Sequence, residues 1–114
     1  MEVHEVSGAA EPGRLVLEVT GEVDLANCGR LESAVAAALG AAEPPALLVL
    51  DLSGVSFLDS SGLRVVLSGA NAARAGGAAL SVVPSAAVSR VFELAGIGPD
   101  TLRLEQQGQA RSAG

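Results

Sequence analysis

The chain has 114 residues, 49% of them hydrophobic and 18% charged, with a formal net charge of −6. That is the length of one domain, enough to bury a single core without covalent staples. Thirteen acidic against seven basic residues, every base an Arg, two Phe, no Tyr or Trp, and the single Cys28 argue against four things: a phosphate-neutralising surface, a base-stacking platform, a disulfide framework and a catalytic lysine.

Residues 2–7 alternate loosely and predict a short strand. Gly8 to Gly13 is turn-rich and of hairpin length. In 14–20 the apolar Leu15, Leu17 and Val19 recur at every second position, the period of a strand. The short connection makes these two strands antiparallel neighbours. After Gly21-Glu22-Val23-Asp24 the period changes. Leu25, Cys28, Leu31, Val35 and Leu39, with the alanines between them, predict a helix over 25–41. Asp24 stands where its N-cap should be, and Pro44-Pro45 stops it. Cys28 falls on the apolar stripe and is expected to be a small buried hydrophobe.

Ala46 to Leu50 is apolar without a break, the pattern of a central strand covered by helices on both sides. Asp51 to Ser61 is expected to be a long connection, held down by Val55, Phe57 and Leu58. A second helix is expected over 61–75, with Leu63, Val66, Leu67 and Ala70 on its buried stripe and Gly76-Gly77 as its stop. Residues 79–83 read as a strand. Pro84-Ser85 opens a third helix carrying Val88, Val91, Phe92 and Ala95, which stops at Gly96. Residues 101–104 could add a last edge strand. The polar 105–114 tail is expected to be frayed. The order β-β-α-β-α-β-α-β predicts a single α/β domain over 1–104, a mixed and mostly parallel sheet with helices packed against it. The first residues carry no apolar run and no stretch approaches a membrane span, so no signal peptide, no membrane span and a cytoplasmic location are expected.

In such sheets sites gather at the carboxyl ends of the parallel strands. Three segments leave those ends: Gly21–Asp24, Leu52–Gly62 and Pro84–Ser85. Asp24, Asp59, Ser60, Ser61 and Ser85 supply polar groups there, and Gly21 and Gly62 allow close backbone approach. Asp59-Ser60-Ser61-Gly62 starts a helix, where free N–H groups and about half a unit of positive charge favour a phosphate. Phosphorylation would add about −1.5 to −2 charges at that spot, so a hydroxyl there suits a switch. Ser and Asp ahead of a helix also serve as plain caps, and capping alone would explain Asp24. Glu22 and Asp24 lack a third ligand, so no metal site is expected. Gly76-Gly77 lacks the spacing of a nucleotide loop, and no cofactor is expected.

The run Asp51-Leu52-Ser53-Gly54-Val55-Ser56-Phe57-Leu58-Asp59-Ser60-Ser61-Gly62-Leu63 closely resembles the signature of STAS domains, in the branch of anti-sigma factor antagonists. Gly21-Glu22-Val23-Asp24 looks like that family's Gly-Glu-Leu/Ile-Asp segment. Pro84-Ser85 with Val88, Val91, Phe92, Glu93 and Leu94 resembles its Ser-Pro…Val…Leu-Phe stretch. The likeness extends over about 14–104. It implies a STAS-like fold and a protein that binds an anti-sigma factor which is also a GHKL-type serine kinase. The unphosphorylated form would capture that kinase and free the sigma factor. The kinase would phosphorylate the first Ser of the motif, which matches Ser60, and a PPM-type phosphatase would reset it. Asp24 matches an acidic position of the family's partner-binding surface. With it we group Gly21, Glu22, Asp59, Ser60, Ser61, Gly62 and Ser85 as the expected partner surface. The family's amphipathic fourth helix has no counterpart in 105–114, which lacks an apolar stripe.

Nucleotide binding by the rim itself, with a phosphate on the helix N-terminus, lacks a Walker-type lysine loop, and two other readings compete. One is a module of the same fold serving as scaffold or regulatory subunit of a stress-sensing complex or a transporter. The other is an enzyme with Ser60 as nucleophile. The second lacks a positioned base, since there is no Lys and His4 lies near the terminus; no enzymatic activity is expected. The free protein is expected to be a monomer.

Overall fold

The structure, a computed structural model, describes residues 1–7 and 13–106. The expected turn over 8–12 and the tail over 107–114 lie outside the described residues. The strands are β1 (Glu2–Ser7), β2 (Arg14–Val23), β3 (Leu47–Leu58), β4 (Ala79–Pro84) and β5 (Arg103–Leu104). The helices are α1 (Cys28–Leu39), α2 (Ser60–Ala75) and α3 (Ala86–Leu94). The sheet order is β1-β2-β3-β4-β5, with β1 antiparallel to β2 and every later pair parallel. The element order and the mixed, mostly parallel sheet agree with the sequence expectation.

The expectation about the faces of the sheet is corrected. The described helices do not cover both faces of the sheet. Buried residues of α1 (Leu31, Val35), α2 (Val65, Val66) and α3 (Val88, Phe92) share one core with Leu17, Val19, Leu48, Leu50, Leu52, Leu80 and Val82. The reason is topological. Each crossover steps to the next strand in the same direction, and crossovers of one hand then fall on one face. The opposite face carries a small separate cluster of Val16, Val49 and Val83. Beside it, Arg14 pairs with Glu105 at 3.1 Å, and Ser81 donates to the other Glu105 oxygen. The Glu105 amide also donates to Val82 O at 2.8 Å. Glu105, part of the polar tail by composition, is thus tied to the sheet.

β3 is longer than expected, and its length places the site. It runs through Asp51 to Leu58, where the sequence suggests a loop. Against β2 its register slips twice: Glu18 and Thr20 face Asp51 and Gly54, then Gly21 and Glu22 face Val55 and Phe57. Each slip inserts one extra β3 residue, a β-bulge. The core-facing positions of β3 therefore move from a spacing of two (Leu48, Leu50, Leu52) to a spacing of three (Val55, Leu58), while β2 keeps strict alternation. All five are buried. β4 accompanies β3 only as far as Leu52. Beyond that point α3 packs against β3, and the Ser85 hydroxyl donates to Val55 O at 2.6 Å.

Candidate functional site

The three segments expected to converge do meet at the carboxyl ends of β2, β3 and β4. Gly21 pairs with Val55, and Ser85 bonds to the same Val55. The Asp59 amide donates to Val23 O at 3.2 Å. Gly21 has φ +92°, a conformation open to glycine, and sits at the second slip of register.

α2 begins one residue earlier than the periodicity predicts, at Ser60. Asp59 is its N-cap: Oδ1 accepts from the Ser61 amide at 2.9 Å and from the Gly62 amide at 3.1 Å. Such a cap stabilises a helix by about 1 kcal/mol. The other oxygen, Oδ2, accepts from the Leu25 amide at 3.2 Å. One carboxylate therefore touches both the start of α2 and the segment leaving β2. The helix N–H groups that the sequence offered to a phosphate are partly occupied by this side chain. Ser60 is exposed, and its hydroxyl makes no hydrogen bond among the described residues. Ser61 is half-buried beside it.

Gly62 is buried for a steric reason. A Cβ there would lie 2.5 Å from Leu58 Cδ1 and 2.9 Å from Val23 Cγ1. The absence of a side chain lets the first turn of α2 press against the ends of β2 and β3. Ser85 caps α3, accepting from the Val88 amide at 3.1 Å while donating to Val55. With both capacities in use and the side chain half-buried, it reads as a brace of the rim more than as a contact residue.

The segment after Asp24 differs from expectation. α1 starts at Cys28, and its N-cap position is Asn27, not Asp24. Asp24 closes a turn instead. Its Oδ1 accepts from the Ala26 and Asn27 amides at 3.0 and 3.2 Å. Asn27 answers through Oδ1 to the Asp24 amide and through Nδ2 to Glu22 O, both at 2.9 Å. Leu25 is consequently outside the helix and 75% exposed, not on the apolar stripe. Phe57 is 48% exposed and pairs across the sheet with Glu22. These two apolar side chains, with the exposed Glu22 and the half-buried Asp24 and Asp59, lie on the segments that the Leu25–Asp59 bond and the Glu22–Phe57 pairing join beside the start of α2. Sequence reasoning missed both as surface residues. The available signal was Asn27, a better mark of the true helix start than Asp24.

Cys28 is buried, as expected. Among the described residues no cluster of His, Cys, Asp and Glu could hold a metal ion, and no helix is long and apolar enough to cross a membrane. A cleft of about 670 Å³ lies at the other end of β2, lined by Gly13, Leu15, Ala34, Ala38 and Pro44, and shares no residue with the rim.

Comparison with known proteins gives the following likenesses. The family described as "Mlab, STAS domain" matches residues 6–104. The anti-sigma-F factor antagonist RsfB of Mycobacterium tuberculosis is 41% identical over 61 residues, 54% of this chain and 48% of that protein. The match thus spans about half the length of that curated relative. The crystal structure of an anti-sigma factor antagonist from Mycobacterium paratuberculosis superposes with a TM-score of 0.80 at 29% identity, covering 98% of this chain and 92% of the other. The anti-sigma factor antagonist SpoIIAA in its unphosphorylated form superposes with a TM-score of 0.72 at 22% identity, covering 97% and 94%. That last likeness is one of fold.

Proposed function

The chain belongs to the STAS domain family, and on that premise we propose that it is an anti-sigma factor antagonist switched by phosphorylation of Ser60. The observation that carries this reading is the exposed Ser60 hydroxyl, without a hydrogen bond among the described residues, at the first residue of a well-capped helix. The names of RsfB and of the Mycobacterium paratuberculosis protein support the antagonist role. The fold neighbour SpoIIAA, known in unphosphorylated and phosphorylated forms, supports the switch.

In this reading the unphosphorylated rim docks an anti-sigma factor that is a GHKL-type serine kinase, and the sigma factor is released. Leu25 and Phe57 supply apolar contact, and Glu22, Asp24 and Asp59 call for a basic partner surface. Gly21, Gly62 and Ser85 hold the rim in shape. The protein is a substrate and binder, not an enzyme. The Ser60 oxygen bonds to the γ-phosphorus of ATP, the bond to the bridging oxygen breaks, and ADP leaves. The hydroxyl proton passes to a base on the kinase. The new group places about two negative charges on a surface already rich in carboxylates. Release follows locally, where the phosphate meets an apolar or acidic contact of the partner and its charge is desolvated without a counter-ion. A PPM-type phosphatase removes the group.

The test is capture of partners from an extract with and without ATP, followed by mass spectrometry of the chain. We expect an anti-sigma factor to be retained without ATP, and phosphate on Ser60 with it. Phosphate on Ser53, Ser56 or Ser61 in place of Ser60 would sink the assignment. Light scattering of the free protein should give a monomer; a large homogeneous particle would favour a scaffold subunit.

A further inference from the structure

We infer that Asp59 couples the charge state of Ser60 to the position of Leu25, so that phosphorylation releases the apolar contact as well as adding charge. The inference rests on the reading of Ser60 as a phosphoacceptor. Its basis is the division of labour within one carboxylate. Oδ1 serves the Ser61 and Gly62 amides, and Oδ2 serves the Leu25 amide. The other side-chain bonds of the 24–27 turn stay inside the segment 22–28: Asp24 to Ala26 and Asn27, Asn27 to Asp24 and Glu22, and Cys28 Sγ to Leu25 O at 3.8 Å. Leu25–Asp59 is the side-chain bond described between this turn and α2.

A phosphate on Ser60 stands one residue from Asp59 and carries three strong acceptor oxygens. It competes for the same N–H groups at the helix start, and it repels the carboxylate that holds them. When Oδ1 gives way, Oδ2 leaves the Leu25 amide with it. Leu25 is the residue with most to lose. Its side chain is 75% exposed, so packing does not hold it in place. Asp59 is thus a positioning residue, acting on the partner through Leu25.

The experiment uses the whole chain, nitrogen-labelled, with phosphoserine installed at position 60 during synthesis, so no kinase is needed. Amide exchange of Leu25 is followed by NMR. Loss of one exposed hydrogen bond should speed exchange at Leu25 about fivefold, with the interior of α2 unchanged. Asp59→Asn provides the second arm. Asn keeps an oxygen for the Ser61 and Gly62 amides but turns an NH2 toward the Leu25 amide, where two donors cannot pair. It should speed Leu25 exchange similarly without phosphate, and phosphoserine should then add nothing further at Leu25. Unchanged Leu25 exchange in the phosphorylated chain overturns the coupling. So does an additive effect of phosphoserine on Asp59→Asn. Should the partner still dissociate on phosphorylation while Leu25 is unmoved, the switch reading stands and the coupling falls. Should Leu25 respond while no kinase ever modifies Ser60, the reverse holds.

Discussion

Gly62→Ala tests the account of the rim most directly. The substitution adds one methyl at the third residue of α2. In an open helix Ala is better than Gly by about 0.5–1 kcal/mol. Here the new Cβ would meet Leu58 Cδ1 at 2.5 Å, Val23 Cγ1 at 2.9 Å and Leu58 Cγ at 3.3 Å. Neither neighbour can step aside easily. Val23 is fully buried and Leu58 is 3% exposed, and Val23 is also stiff at χ1. Overpacking of this kind costs about 1–3 kcal/mol. Net of the helix gain, we expect a loss of about 1.5 kcal/mol. With a urea slope of roughly 1–2 kcal/mol/M for a chain of this size, the unfolding midpoint should fall by about 1 M. The chain has no Trp or Tyr, so far-UV circular dichroism is the suitable probe. Gly29→Ala is the control: it lies in α1, is exposed, and an added Cβ meets nothing within 4 Å. It should raise the midpoint, by about 0.5 kcal/mol in stability. If Gly62→Ala is as stable as the parent while Gly29→Ala behaves as stated, the close approach of α2 to the strand ends is not what requires glycine.

Further outcomes follow from named contacts. Ser85→Ala removes the cap on Val88 and the bond to Val55 O; a loss of about 1–2 kcal/mol by urea unfolding is expected. Phe92→Ala empties a fully enclosed site and should cost about 3–5 kcal/mol, with Tm measured calorimetrically. Glu105→Ala leaves Arg14 and Ser81 without this carboxylate and should cost about 2 kcal/mol; an unchanged midpoint would show that the sheet ends functionally at Leu104. For binding, Leu25→Ala should weaken capture of the anti-sigma factor about tenfold or more if it is a buried anchor, read by titration calorimetry, with the urea midpoint unmoved.

The legible part of the fold was whatever follows a simple period. β1, β2, β4 and the helices other than their ends are written in spacings of two or of three and four. The second half of β3 was not, because two bulges change its inward spacing from two to three. Leu52, Val55 and Leu58 then look like neither a strand nor a loop with a purpose. The face without described helices escaped for a different reason. An unbroken apolar run says only that both sides of a strand are buried, whereas the side on which a helix lies is decided by the direction of successive crossovers. The site was legible as three segments and a hydroxyl. It was not legible as a surface, since the exposure of Leu25 depends on Asn27 and Asp24 forming a closed turn ahead of α1. Which of two acidic residues bridges the segments was also hidden: Asp59 does so with its second oxygen, and a sequence gives no sign of where a lone pair points.

The strand order has a kinetic side. Neighbours in the sheet are neighbours along the chain throughout. Loops closed during assembly are thus only as long as one crossover, and the entropy lost at each closure stays small. Each new strand also finds the preceding strand already in place as its template, so a chain emerging from a ribosome can build the sheet in the order of its synthesis. On that route the serine-bearing helix start forms before β4 exists. The bond from Ser85 to Val55 comes later, which makes the arrival of α3 the event that completes the rim.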